Sequence, residues 1–229
     1  MRDDICTIPV SEVFEVNDGC PICRMKRTVE EHIVDYIMGA AMMEPDVRIE
    51  TNKVGFCTEH FSQMLNHRGR LALALMLESH LDTVTGDIFS GKLFNSDGKK
   101  AAKAKKLSES CFICDKINWG MERMIATLYR CYENEKDFRD LFNNQKMFCL
   151  PHYEMLINSM DKKGMRRYGD EFAKSLTRIT TEYIKSLSAD VKNYCKMYNY
   201  QNSADNCDWQ NSKDSVERSI SFLSGKIFE

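Results

Sequence analysis

Two short motifs recur along the chain at nearly constant spacing, and they constrain the fold more than any other feature. Each copy has a CxxC motif followed, after 33 or 34 intervening residues, by a CxxH motif. The eight motif residues are Cys20, Cys23, Cys57 and His60 in the first copy and Cys111, Cys114, Cys149 and His152 in the second. The copies are offset by 91 residues at CxxC and by 92 at CxxH. The chain is therefore predicted to contain an internal duplication.

The match between the copies extends to the apolar residues around the motifs. Ile22 pairs with Ile113, Phe56 with Phe148, and Met64 with Leu156. One CxxC motif alone is weak evidence, but CxxC followed twice by CxxH is typical of metal ligands. Zinc takes four nitrogen or sulfur ligands in a tetrahedron, and each copy supplies four. We therefore expect two zinc ions per chain, each bound by the three cysteines and one histidine of one copy.

The motifs are expected to lie at helix N-termini. Cysteine and histidine three residues apart face the same way in a first helical turn. Pro21 and Pro151 lie at motif positions where a first-turn proline loses no hydrogen bond. The positive end of the helix dipole lowers the pKa of a thiol and favours a site rich in thiolates.

Apolar residues at helical spacing follow both CxxC motifs, whereas the alternation typical of strands is scarce. The sequence predicts an all-α protein with two tandem helical metal-binding repeats and a C-terminal helical extension. The predicted boundaries are residues 1–92 for the first repeat, 93–110 for a lysine-rich linker, 111–190 for the second repeat and 191–229 for the extension.

Several alternatives to structural zinc remain open. Iron-sulfur clusters also use thiolates, although their usual ligand spacings are absent. Inert buried thiols would not explain the spacing. Disulfides are disfavoured by the expected compartment and by the recurring histidine, and a CxxC redox pair lacks the surrounding strands of a thioredoxin-like fold. The other cysteines, Cys6, Cys131, Cys195 and Cys207, have no duplicated partner donor and are interpreted as structural or free thiols. His32, His67 and His80 also lack duplicated partners and are interpreted as surface or core residues.

Composition limits the classes of partner. The formal net charge of −2 provides no global attraction to nucleic acid or to an anionic membrane. No segment is apolar for long enough to span a membrane, and the opening residues lack a signal-peptide core, so a cytoplasmic location is expected. Residues 96–110 contain five lysines against two acidic residues. A flexible, solvated linker is the default interpretation, and a phosphate-binding patch for nucleic acid is the less favoured one.

The extension is predicted to contain an amphipathic helix. Its apolar stripe consists of Val216, Ile220, Leu223 and Ile227. The favoured interpretation is that this helix packs on the repeats, and the alternative is an exposed arm for dimerisation or for a protein partner. The sequence does not determine the oligomeric state.

At the motifs CPIC with GFCTEH and CFIC with FCLPH, the sequence resembles an uncharacterised bacterial family of duplicated CxxC and CxxH helical proteins. The resemblance covers about residues 5–190 and is specific at the eight motif residues. The second copy departs from the first by having Phe112 where the first has Pro21. The resemblance implies metal binding and a bacterial source, but no reaction.

Four protein ligands close a zinc site, whereas catalytic zinc normally keeps one position for water. No constellation of acid, base and nucleophile is evident, so the sequence indicates no catalytic residue and leans against an enzyme. We therefore expect a zinc-binding, noncatalytic interaction or regulatory protein. The alternative is an iron-sulfur protein for electron transfer or redox sensing.

Overall fold

The computed structural model describes residues 7–89, 97–160, 165–198 and 209–226. Within these ranges the chain forms eleven α-helices and no strand, which confirms the predicted all-α class. The helices are α1 (Thr7–Glu15), α2 (Pro21–Met38), α3 (Pro45–Val54), α4 (Thr58–Asn66), α5 (Arg70–Val84), α6 (Asp97–Ser108), α7 (Phe112–Asn134), α8 (Lys136–Asn143), α9 (Leu150–Ser159), α10 (Gly169–Met197) and α11 (Ser215–Ser224). A 3-10 turn at Ala40–Met43 follows α2, and a π-helical turn at Thr85–Phe89 extends α5.

The chain divides into two compact units. The first unit comprises residues 1–26 and 122–229, and the second comprises residues 27–121. Both divisions fall inside a helix that begins at a CxxC motif, since α2 spans residues 21–38 and α7 spans residues 112–134. The boundaries between the units therefore differ from the boundaries between the two copies seen in the sequence.

The second unit is built around an aliphatic core. Its buried side chains come from α2, α4, α5 and the start of α7, and they include Val34, Ile37, Met38, Met64, Leu73, Met76, Ile113 and Ile117. Helix α5 packs against α3 and α4. Arg48 of α3 reinforces this packing by donating to the carbonyl of Leu75 and to Ser79 Oγ on α5, both at 2.6 Å.

The first unit has an aromatic core. Phe142 of α8 lies at its centre, with ring centroids 4.8 to 5.9 Å from those of Phe14, Tyr132, Phe148 and Phe172. Helix α10 contacts α8, α9 and α11, and α1 contacts α8. The segment before Cys149 and the segment before Cys20 both contribute a phenylalanine to this core, which fixes the positions of the two motifs.

Two segments differ from the expectations. Residues 97–108 of the predicted flexible linker form helix α6, whose lysines are mostly exposed. Alanine and lysine favour helix, and the charges remain in water, so this segment is ordered without a buried face.

In the extension, α11 packs on α9 and α10 through Phe222 and not through the predicted stripe. Val216, Ile220 and Leu223 are exposed, and Ile227 lies outside the described residues.

Candidate metal centres

The eight motif side chains form two groups of four, and each group combines motifs from both copies. The first group, called here the Cys20 site, consists of Cys20, Cys23, Cys149 and His152. The second, the Cys57 site, consists of Cys57, His60, Cys111 and Cys114. Within each group the ligand atoms all lie within 4.8 Å of one another.

This grouping corrects the expectation that each copy closes its own site. The CxxC motif of the first copy meets the CxxH motif of the second, and the CxxC motif of the second copy meets the CxxH motif of the first. Each site nevertheless lies within a single compact unit, the Cys20 site in the first and the Cys57 site in the second. The physical reason is the tertiary fold, since Phe14 and Phe148 share one core while Ile37 and Ile113 share the other.

Helix starts present the ligands of the Cys20 site, as the sequence predicted. Cys20 immediately precedes α2, and Cys149 is the N-cap of α9. Polar contacts hold the two approaching segments together. Asn17 donates through Nδ2 to the carbonyl of Asn144 and accepts through Oδ1 from the backbone N–H of Lys146, both at 2.9 Å.

The donor atoms of the Cys20 site face one another at short range. His152 Nδ1 lies 3.0 Å from Cys149 Sγ, 3.3 Å from Cys23 Sγ and 3.6 Å from Cys20 Sγ. The sulfur atoms of Cys23 and Cys149 are 3.6 Å apart. Cys20, Cys23 and Cys149 are buried, so the site is largely closed to solvent.

The Cys57 site has the same design. Cys57 is the N-cap of α4, and Cys111 immediately precedes α7. A backbone hydrogen bond joins the segments that lead into α4 and α7, because the N–H of Phe112 donates to the carbonyl of Gly55 at 2.9 Å. Ser110 Oγ also donates to the carbonyl of Val54 at 2.6 Å.

His60 faces all three sulfurs of the Cys57 site. Its Nδ1 lies 3.1 Å from Cys57 Sγ, 3.2 Å from Cys111 Sγ and 3.4 Å from Cys114 Sγ. Its other ring nitrogen, Nε2, lies 3.0 Å from Glu30 Oε1. No sequence signal marks Glu30, because a glutamate within a polar helical turn resembles many others.

These distances fit a single tetrahedral ion. With metal–sulfur bonds of about 2.3 Å and metal–nitrogen bonds of about 2.0 to 2.1 Å, ligand edges measure about 3.8 Å between sulfurs and about 3.6 Å between sulfur and nitrogen. The sulfur pairs at 3.6 and 3.9 Å agree with this geometry. The sulfur–nitrogen distances, 3.0 to 3.6 Å, are equal to or somewhat shorter than that edge. Three soft sulfur donors and one imidazole form a donor set suited to zinc.

In the Cys57 site, the pKa values of Cys111 and Cys114 are shifted in opposite directions. Burial raises the pKa of Cys111, but hydrogen bonds with His60 and Cys114 outweigh burial and bring that pKa to about 6. Burial and the neighbouring Cys111 raise the pKa of Cys114 to about 12. The hydrogen bonds of His60 with Cys111 and Glu30 raise the pKa of the imidazole to about 10.

In the Cys20 site, too, the pKa of one thiol is lowered and the pKa values of the other two are raised. Burial raises the pKa of Cys20, but hydrogen bonds with Cys149, Cys23 and His152 outweigh burial and place that pKa well below its ordinary value. Hydrogen bonds with Cys149 and Cys20 raise the pKa of Cys23, and the bond with Cys20 raises the pKa of Cys149 to about 12. Neighbouring thiolates repel one another, so one thiol ionises readily and the others resist. A bound cation would relieve this repulsion.

The end of α11 lies beside the Cys20 site. The carbonyl oxygen of Gly225 is 3.4 Å from Cys23 Sγ. Gly225 has a left-handed backbone with φ of 69°, and a Cβ there would lie 3.3 Å from Pro151 Cγ and 3.4 Å from Cys149 Sγ. Glycine is therefore required for this close approach. Sequence reasoning missed Gly225, because the predicted stripe continued past it to Ile227, whereas α11 ends at Ser224 and Gly225 is its C-cap.

The remaining cysteines and histidines do not join either group within the described residues. Cys131 is buried, as expected for a small core residue, and burial raises its pKa to about 11. His67 pairs with Asp35, and His80 Nδ1 lies 3.0 Å from the carbonyl oxygen of Asn52. Cys6 and Cys207 lie outside the described residues.

The whole chain, residues 1–229, matches a family of unknown function, DUF6062. The protein belongs to that family. Neither a curated protein nor a solved structure is found to match this DUF6062 member. Among its described helices, none combines the length and apolar character that crossing a membrane requires.

Proposed function

We propose that this DUF6062 member binds two structural zinc ions and acts as a noncatalytic interaction or regulatory protein. The observation that carries the proposal is the convergence of three cysteine sulfurs and one histidine nitrogen within 4.8 Å in each compact unit. Four protein donors fill a tetrahedron, so no ligand position is left for a substrate or a water molecule. The role is therefore structural, and function resides in the surface that the folded units present.

Zinc is favoured over an iron-sulfur cluster by the compactness of each group. A cluster distributes its protein ligands over two or more iron atoms, which separates those ligands further than a single ion does. Four donors within 4.8 Å suit one ion. Iron-sulfur electron transfer or redox sensing is the alternative, and metal content and colour distinguish the two.

When bound, zinc would supply four coordinate bonds that join two helix starts distant in the sequence. In the Cys20 site these are the starts of α2 and α9, and in the Cys57 site the starts of α4 and α7. Closing such long loops contributes directly to folding free energy. Each unit should therefore lose stability when a chelator removes its metal.

A cytoplasmic location is part of the proposal. All eight cysteines within the described residues are free thiols, and thiols persist in reducing compartments. The two-copy origin of the chain, with repeats at 1–92 and 111–190 and an extension from 191, also remains a proposal. The sequence offset of 91 and 92 residues supports it.

Metal content and colour test the proposal. The full chain is purified without oxygen and without added metal, and its metals, acid-labile sulfide and visible spectrum are measured. We expect two zinc ions per chain and no visible absorption, because zinc has a filled d shell. Iron with labile sulfide and a brown colour would support the iron-sulfur alternative, and a chain without metal would refute both.

A further inference from the structure

Glu30 contacts the histidine of the Cys57 site on the side away from the sulfurs. Its Oε1 lies 3.0 Å from His60 Nε2 and also accepts a 2.8 Å hydrogen bond from Gln63 Nε2. The His60 side chain is 4% exposed and that of Glu30 is 24% exposed. The contact is therefore partly shielded from water. The Glu30 carboxylate is held by two partners, His60 and Gln63.

The contact favours one tautomer of the neutral His60 ring, the form that binds a metal. An ionised carboxylate only accepts hydrogen bonds, so Nε2 donates and keeps its hydrogen. The lone pair of a neutral imidazole then lies on Nδ1, the atom that faces Cys57, Cys111 and Cys114. A carboxylate in this position orients the ring and makes the nitrogen a stronger metal donor.

The Cys20 site lacks this support among the described residues. His152 also turns Nδ1 toward its three sulfurs, but no described residue makes a hydrogen bond to its Nε2. At the 91-residue offset that relates the two CxxC motifs, the position of Glu30 corresponds to Met121. A methionine cannot provide the charge or the strong acceptor of a carboxylate. The two sites therefore have the same four ligand types but different surroundings.

We propose that Glu30 is a positioning residue that orients His60 and raises the metal affinity of the Cys57 site, with no counterpart at the Cys20 site among the described residues. This inference rests on the proposed zinc binding. Loss of a residue that hydrogen-bonds a metal ligand typically lowers metal affinity about 10- to 100-fold. Replacing Glu30 should have an effect in that range at one site only.

The test isolates each site before changing Glu30. A Cys149→Ser background retains only the complete Cys57 site, and a Cys57→Ser background retains only the complete Cys20 site. Zinc affinity is measured in both by competition with a chromophoric chelator at fixed pH. The variants are Glu30→Met, which introduces the residue of the second copy, and Glu30→Gln, which keeps an acceptor but loses the charge. Glu31→Gln is the matched control, because Glu31 is the neighbouring glutamate on α2 and its side chain is 65% exposed.

In the Cys149→Ser background we expect Glu30→Met to weaken zinc binding about 10- to 100-fold, with Glu30→Gln intermediate and Glu31→Gln unchanged. In the Cys57→Ser background all three variants should bind zinc as their parent does. Cobalt substituted for zinc provides a second readout. Glu30→Met should shift the cobalt d–d bands of the Cys57 site, which a loss of general stability would not do.

The outcomes separate the two proposals. If the unmodified chain binds no zinc, the proposed function fails. If it binds zinc but Glu30→Met and Glu31→Gln have equal affinities and equal cobalt spectra, only the role of Glu30 is refuted. Should Glu30→Met fail to fold, Glu30→Gln carries the same test, because it conserves the size of the side chain. Equal affinity of Glu30→Gln and Glu31→Gln would then contradict the inference.

Discussion

Gly225 is the residue at which the end of α11 approaches the Cys20 site. A side chain at this left-handed position costs about 1 to 2 kcal/mol in backbone conformation. An added Cβ would also lie 3.3 Å from Pro151 and 3.4 Å from Cys149. We therefore predict that Gly225→Ala lowers the free energy of unfolding by about 1 to 2 kcal/mol, measured by denaturant titration. Gly86→Ala is the control, because a methyl group added at Gly86 would have no neighbouring atom within 4 Å. Equal stability of the two variants would contradict this account.

Tyr129 gives a prediction about alkaline pH. Its hydroxyl donates to the carbonyl of Leu156 at 2.8 Å and lies 2.7 Å from Ser159 Oγ, and burial raises its pKa to about 12. A raised pKa means that the folded state keeps a proton that the unfolded state releases above about pH 10. The contribution of Tyr129 is thus complete below pH 10 and is lost as the pH rises to about 12.

Tyr129→Phe tests this dependence. Stability is measured by denaturant titration from pH 8 to pH 11, with wild type as the reference. We expect the variant to be less stable at pH 8 by about 1 kcal/mol, the usual net contribution of a hydrogen bond. The difference should shrink toward the alkaline end, because only the wild type has this proton to lose. A difference that stays constant across the range would show that Tyr129 does not titrate as described.

At the scale of elements, the aromatic core of the first unit makes α8 a structural centre despite its short length. Phe142 is fully buried and contacts Phe14, Phe148 and Phe172. Truncating a buried phenylalanine leaves a cavity and typically costs about 3 to 5 kcal/mol. Phe142→Ala is expected to destabilise the protein by that amount in thermal or denaturant unfolding. Phe89→Ala serves as the control, since Phe89 is 67% exposed. Similar effects of the two substitutions would refute the assigned core.

The helices that carry the motifs could be predicted from local signals alone. Pro21 and Pro151 mark the first turns of α2 and α9. The face that a helix buries depends on its neighbours, and sequence periodicity identified it wrongly for α11. There the three described residues of the predicted stripe are exposed, whereas Phe222 packs on Tyr183 of α10 at a ring distance of 5.7 Å. An aromatic side chain buries a large area and gains further from pairing with another ring, which favours burial of Phe222 against Tyr183.

At the scale of the whole molecule, the pairing of motifs is the property that the sequence could not supply. Both copies offer a CxxC and a CxxH motif with equal chemistry, so a within-copy pairing and a crossed pairing use the same eight residues. Only the tertiary fold selects between them, through cores that join α1 with α8 and α2 with α7. The crossed arrangement means that each bound metal would connect a motif of the first copy with a motif of the second.

The crossed arrangement would also give a physical reason for the proposed duplication. A chain containing one copy would have a CxxC and a CxxH motif that, in this geometry, belong to different sites. Each copy completes the ligand set of the other, so neither site can form in this way from one copy alone. The two candidate metal sites thus depend on both copies being in one chain, even though each site lies within its own compact unit.

The most direct test of this account is the zinc content of two double variants. Cys20→Ser with Cys149→Ser removes two ligands from one crossed site, so the chain should retain one of its two zinc ions. Cys20→Ser with Cys57→Ser removes one ligand from each crossed site, so both ions should be lost or bound far more weakly. Zinc per chain is measured by elemental analysis after gel filtration with a weak chelator. The reverse result, with both ions lost from the first variant and one retained by the second, would show that each copy binds its own ion.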